Sequence, residues 1–171
     1  EAVSYNGELS YEPDRGEGLW RRSVYTYWKR TSPPPGVQVL DGPTRETCVV
    51  RRPRTNTPLQ ALMLLNDEGF VEAARGLAAT VLAHRDASRD QRIVELFRRA
   101  TARPPDAKEV LALARLHDNQ HRRFAAEPAA AAQLLAIGQS SLGRNLDPVE
   151  AATWTAVAQV VLNLDEVIMR R

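Results

Sequence analysis

The sequence predicts an all-α fold: a helical bundle of about five to six helices preceded by an irregular arm rich in proline, arginine and aromatic residues. Three observations predict it. After Thr57 the apolar residues recur with helical spacing to the end of the chain. The stripes open on cap-and-proline signals, Thr57-Pro58 and Asp147-Pro148. Before Thr57 the pattern dissolves: six of the ten aromatic residues fall in the first 28 positions, and six of the eleven prolines lie between 33 and 58. These observations divide the chain into an arm over 1–56 with one helix, packed on a bundle over 57–171.

Within the arm, Trp20, Val24, Tyr27 and Trp28 share one helix face and favour a helix over about Leu19–Arg30. Pro33-Pro34-Pro35-Gly36 stops it, and the segment from there to Asn56 reads as an ordered arm or linker rather than a packed element. Thr57 then caps a helix, Pro58 takes its first position and Gln60 completes a capping box. Asn66-Asp67 ends that helix and starts the next, whose stripe runs through Phe70, Val71, Ala74, Leu77, Ala78, Val81 and Leu82. Ile93, Leu96, Phe97 and Ala100 form a shorter stripe. Arg103-Pro104-Pro105 breaks the chain, and Asp106 with Glu109 reopens it as a second box. Pro128 opens an Ala-rich helix to about Ile137, and a loop succeeds it. In the last helix Asp147 caps, Glu150 completes the box, and one helical face continues to Ile168.

Composition narrows the functional classes. With 171 residues, 43% of them hydrophobic and 26% charged, the chain has the make-up of a globular protein with a real core. No apolar run approaches the roughly 20 residues a membrane helix needs, so no membrane insertion is expected. The net charge is +2 but unevenly spread: residues 1–14 hold four acids and no base, and residues 15–56 hold nine bases against three acids. A basic arm points weakly to an acidic partner. A near-neutral total without a recognition motif argues against nucleic acid. The single cysteine, Cys48, cannot form an internal disulfide or a haem attachment motif and reads as a buried small hydrophobe.

The stretches Arg22-Ser23-Val24-Tyr25-Thr26-Tyr27-Trp28-Lys29-Arg30-Thr31, Thr55-Asn56-Thr57-Pro58-Leu59-Gln60-Ala61-Leu62 and Leu65-Asn66-Asp67 together resemble a known family signature. Asp41, Arg45-Glu46, Cys48, Arg51-Arg52, Glu72-Ala73-Ala74-Arg75, Arg103-Pro104-Pro105 and Leu162-Asn163-Leu164-Asp165-Glu166 extend the likeness. The family is the "domain one" of planctomycete cytochrome-type proteins, a domain of unknown function, of which this chain resembles the C-terminal part. The resemblance implies an exported bacterial protein, upstream domains as partners, and haem c in the parent chain rather than here. It implies no catalytic residues. The family usually has glycine where Ala102 stands.

Three candidate sites stand out, each with a structural alternative. Arg45, Arg51, Arg52, Arg54, Asn56 and Thr57 gather guanidiniums beside a helix N-terminus, which suits an anion, and their amide and hydroxyl groups suit a sugar. The alternative pairs these arginines with Asp41, Glu46, Asp67 or Glu72 to hold the arm to the bundle. Trp20, Tyr25, Tyr27 and Trp28 form an aromatic set, either a stacking surface or core. His117 and His121 have the i, i+4 spacing of a metal pair, but they lack a zincin glutamate and read better as exposed helix histidines.

The sequence therefore reads as a non-catalytic helical assembly or ligand-recognition module. The alternative is part of an extracellular enzyme acting on carbohydrate, its active site completed by an upstream region. An electron-transfer partner surface is a weaker third reading.

Overall fold

The computed structural model describes residues 14–21, 23–25, 28, 33–51, 53, 55–140 and 146–169, with only the backbone of Leu19, Trp20 and Ser23. Among them there are helices and no strands: α1 (Pro35–Val39), α2 (Pro58–Asn66), α3 (Glu68–Leu82), α4 (Arg89–Thr101), α5 (Ala107–Ala126), α6 (Pro128–Leu135), α7 (Pro148–Leu162) and α8 (Asp165–Ile168). The all-α expectation holds. The chain divides into two units, Glu1–Gln60 and Ala61–Arg171.

In the first unit the expected helix over Leu19–Arg30 is absent from the described residues. Two short 3-10 turns, Gly16–Trp20 and Ser23–Tyr25, stand there instead. Val24 and Tyr25 are exposed by 72% and 74%, so neither contributes burial that would hold a longer helix. The segment after the proline run, expected to hold no packed element, contains a short helix: Pro35 occupies the first position of α1, and Gly42 N–H closes onto Val37 O at 2.7 Å. A Cβ on Gly42 would lie 2.3 Å from Val37 Cγ1, so the close turn requires glycine.

In the second unit the core gathers around α7. Ala151, Ala152, Thr153, Trp154, Thr155, Val157, Ala158 and Val161 are all buried, so α7 is enclosed on most of its faces rather than along one stripe. Ala74, Ala78, Val81, Ile93, Leu96, Phe97 and Leu113 pack with Trp154, Val157 and Val161 in the main cluster. Phe124 and Ala131 pack with Ala152 in a second. Thr153 and Thr155 are tolerated inside because their hydroxyls donate to Val149 O and Ala151 O, both at 2.7 Å.

Caps set the element boundaries. Asp67, Ser88, Asp106 and Asp147 each accept a backbone N–H of the following turn. Ser88 with Gln91 and Asp106 with Glu109 make full boxes. Glu150 does not complete the box expected of it: its carboxylate accepts Trp154 Nε1–H at 3.1 Å, because the buried indole needs an acceptor. Nor does the last helix run to Ile168. It ends at Leu162, where Asn163 turns and donates from Nδ2 to Ala61 O at 3.3 Å; α8 restarts after Leu164.

Two ionic groups tie distant segments of this unit. Arg103, after α4, donates to both carboxylate oxygens of Glu109, at 2.6 and 2.9 Å, and to Glu166 of α8 at 2.7 and 2.9 Å. The Arg103 hydrogen bonds, with the Asp106 N–H, hold the Glu109 carboxyl at about 2. Arg75 and Glu72 of α3 form a pair that is 3% and 4% exposed. The Arg75 guanidinium donates to Leu135 O and Ile137 O at 2.6 Å, to Ser140 O at 2.7 Å and to Ser140 Oγ at 2.9 Å. Glu72 accepts from Ser140 N–H. Gly138 crosses this pair at φ +86°, and a Cβ there would fall 2.8 Å from Glu72 Cδ.

Candidate functional site

The segment between Asp41 and Thr55 is a surface loop with a closed neck. Asp41 sits at φ 58°, a left-handed conformation that aspartate tolerates better than most residues. Its carboxylate accepts Thr55 N–H and Thr55 Oγ1–H, both at 2.8 Å, and Gln60 Nε2–H at 3.3 Å. The Thr55 backbone and hydroxyl hydrogen bonds, helped by Gln60, draw the Asp41 carboxyl below its ordinary range against the effect of burial. Gln60, 2% exposed, also donates to Val39 O at 2.9 Å and to Thr55 Oγ1 at 3.0 Å, and its Oε1 accepts Thr57 N–H at 2.9 Å. Thr57 Oγ1 accepts Gln60 N–H at 3.2 Å, so the capping box read from the sequence is present. Every polar group of the Gln60 side chain is thus used within this neck.

Beyond the neck the loop is open. Thr44, Arg45, Glu46, Thr47, Cys48 and Arg51 are exposed, Val49 is 45% exposed, and Val50 is 104% exposed. Cys48 is a free, exposed thiol, not the buried hydrophobe expected, because the loop tip packs no core. Arg45, at φ 62°, lays its guanidinium 4.7 Å from the Trp28 ring centroid, a cation–π contact.

The candidate residues therefore separate. Arg45 joins Trp28, and Thr57 joins the neck. Asn56 and Arg51 are exposed at the neck and in the loop. Arg52, Arg54 and Tyr27 lie outside the described residues, as does the Trp20 side chain. Tyr25 is exposed rather than core, and Trp28 is half-buried. Of the expected acidic partners, Asp41 serves Thr55 and Gln60, Asp67 caps α3, and Glu72 pairs with Arg75 of its own helix.

A second polar cluster lies where α5 meets α7. His117, expected at the surface, is 8% exposed and packs on Trp154 with ring centroids 4.8 Å apart. Its position obeys helix arithmetic: Leu113, His117 and Phe124 share the buried face of α5. His117 Nδ1 lies 3.2 Å from Asp118 Oδ1, and Asp118 is held by Arg89 at 2.9 Å. The Arg89 and His117 hydrogen bonds lower the Asp118 carboxyl. His121 stacks on His117 at 6.2 Å and places Nε2 3.5 Å from Glu150 Oε1. These groups and Arg122 line an open cavity of about 400 Å³. Among the described residues no three His, Cys, Asp or Glu side chains gather as a metal set. A larger open groove, about 840 Å³, lies at the α3–α4 turn, where Arg92 donates to His84 O and Arg85 O at 3.2 Å.

Sequence reasoning missed the Asp41–Thr55–Gln60 neck. Its components were all visible, but nothing in local spacing joins Asp41 to residues 14 and 19 positions on. The Ser88–Gln91 box carries the S-x-x-Q spacing signal in the sequence.

The family model described as PSD1, protein of unknown function (DUF1553), matches residues 2–117. No curated protein and no solved structure matches the chain.

Proposed function

The chain belongs to the PSD1 family of proteins of unknown function (DUF1553), and from that premise we propose that it is a non-catalytic assembly or recognition module of an exported, cytochrome c-linked bacterial protein of planctomycete type. The observation that carries this reading is the use of the signature residues. Asp41, Thr55, Thr57 and Gln60 close the loop neck, Glu72 and Arg75 hold the 135–140 segment, and Arg103 joins Glu166. These side chains are committed to holding the fold, and they leave the loop tip presented, with Arg45, Val49, Val50 and Arg51. Presentation of a braced, uncovered segment suits recognition.

In this reading the partners are the upstream domains of the parent protein and an anionic ligand, not nucleic acid. Haem belongs to the parent. Cys48 is followed by Val49-Val50-Arg51, which does not fit thioether attachment. The test is calorimetric titration of this chain with the separately produced upstream part of the parent. Binding that weakens in Arg51→Glu is expected, and no association would overturn the assembly role.

A second reading, part of an extracellular carbohydrate-active enzyme, draws on the cavity that holds His121 and Glu150 3.5 Å apart. It requires polysaccharide turnover by the joined chains that is lost in Glu150→Gln.

A further inference from the structure

The loop tip has three properties that together specify a kind of surface. First, it is uncovered: Val50 is fully exposed and Val49 nearly half so. A small anion or a sugar is held in a concave site, whereas two uncovered β-branched side chains at a tip suit insertion into something broad and apolar. Second, it is cationic. Residues 42–54 carry Arg45, Arg51, Arg52 and Arg54 against one acid, Glu46. Third, its ends are fixed by the Asp41–Thr55 hydrogen bonds at 2.8 Å and by Gln60, so the tip does not have to be gathered on contact.

We propose that the 42–54 loop is a peripheral contact for an anionic lipid surface, with Val49 and Val50 entering the interface and Arg51 meeting the headgroups. The proposal rests on the recognition role assigned to this loop and names its ligand. A bilayer interface supplies the two complements required, a negative surface potential and an apolar layer just beneath it. A soluble polyanion supplies only the first and leaves the valines without a role. Two valines alone would bind weakly, so the cations are needed alongside them.

The test is sedimentation of the full chain with vesicles of phosphatidylcholine alone or of phosphatidylcholine with phosphatidylglycerol, at rising salt. Partition is expected only onto the phosphatidylglycerol vesicles, and it should weaken as salt rises. Arg51→Glu reverses one charge and should weaken partition about tenfold or more. Val50→Asp should do the same, and neither should move the melting temperature, because both side chains are exposed. No partition onto anionic vesicles overturns the proposal. Partition that survives Val50→Asp, or that dextran sulfate competes away from wild type and Val50→Asp alike, overturns it in favour of charge alone. Failure here is distinct from failure of the recognition role, which the calorimetric titration reads with no lipid present.

Discussion

Replacing Arg75 with methionine should be among the most damaging single changes in the second unit. Methionine keeps an unbranched apolar stem but removes every donor. Four hydrogen bonds to Leu135 O, Ile137 O, Ser140 O and Ser140 Oγ are lost, and so is the 3.3 Å contact to Glu72. Glu72 then stays 4% exposed without its cation. Removing one partner of a buried pair costs about 3–5 kcal/mol. Ser140 is exposed and water can reach its carbonyl, which places this case near the lower end, about 3–4 kcal/mol. For a domain of this size that corresponds to a fall of roughly 10 °C in melting temperature. Urea denaturation of Arg75→Met, Glu72→Gln and the double variant supplies the measurement, and the double variant should lose less than the two single losses together. A loss below about 1 kcal/mol for Arg75→Met would refute the reasoning, since it would mean that the pair is not shielded from water. The acid limb gives a second check. Burial pushes the Glu72 carboxyl up, but the Ser140 hydroxyl and N–H, with Arg75, outweigh it and hold the carboxyl below its ordinary value. A depressed carboxylate stabilises the fold above its unfolded pKa, and that contribution is lost as pH falls through the folded value. Arg75→Met should therefore flatten the acid limb.

Ala102 caps α4 at φ 63°, so Ala102→Gly should stabilise by about 0.5–1 kcal/mol, read as a higher urea midpoint; an unchanged or lower midpoint would count against a strained cap. Thr57→Ala removes the acceptor of Gln60 N–H and should destabilise by ~1 kcal/mol, while Thr57→Ser should restore most of that loss. Glu109 is held at about 2, against an ordinary 4.5, so its contribution should be intact above pH 4.5 and lost between there and about 2. Arg103→Gln should shrink that pH dependence, as followed by the melting temperature across the same window.

Much of the second unit was legible because its signals are local. Asp67, Asp106-Glu109, Pro128 and Asp147-Pro148 mark helix starts through backbone chemistry that acts within one turn. The misreadings arose where a distant partner decides. Glu150 was assigned to its own cap but is drawn away by Trp154 and His121, the latter on another helix. His117 looked solvated among polar neighbours in sequence, yet α7 lies across it. Asp41 looked like an arginine partner, and Thr55 reached it first. In the arm, Trp20, Val24 and Trp28 have helical spacing, yet 3-10 turns stand at Gly16–Trp20 and Ser23–Tyr25, and spacing alone does not make a helix.

The enclosure of α7 bears on how the body assembles as it is made. The helices that bring Ile93, Leu96, Phe97 and Leu113 against Trp154, Val157 and Val161 precede them in the chain, so a nascent polypeptide leaving the ribosome displays those four side chains with no central rod to cover them. Until residue 161 has emerged, that half-built shell is a target for chaperones and for self-association, and a product cut short before Pro148 should be insoluble rather than merely less stable.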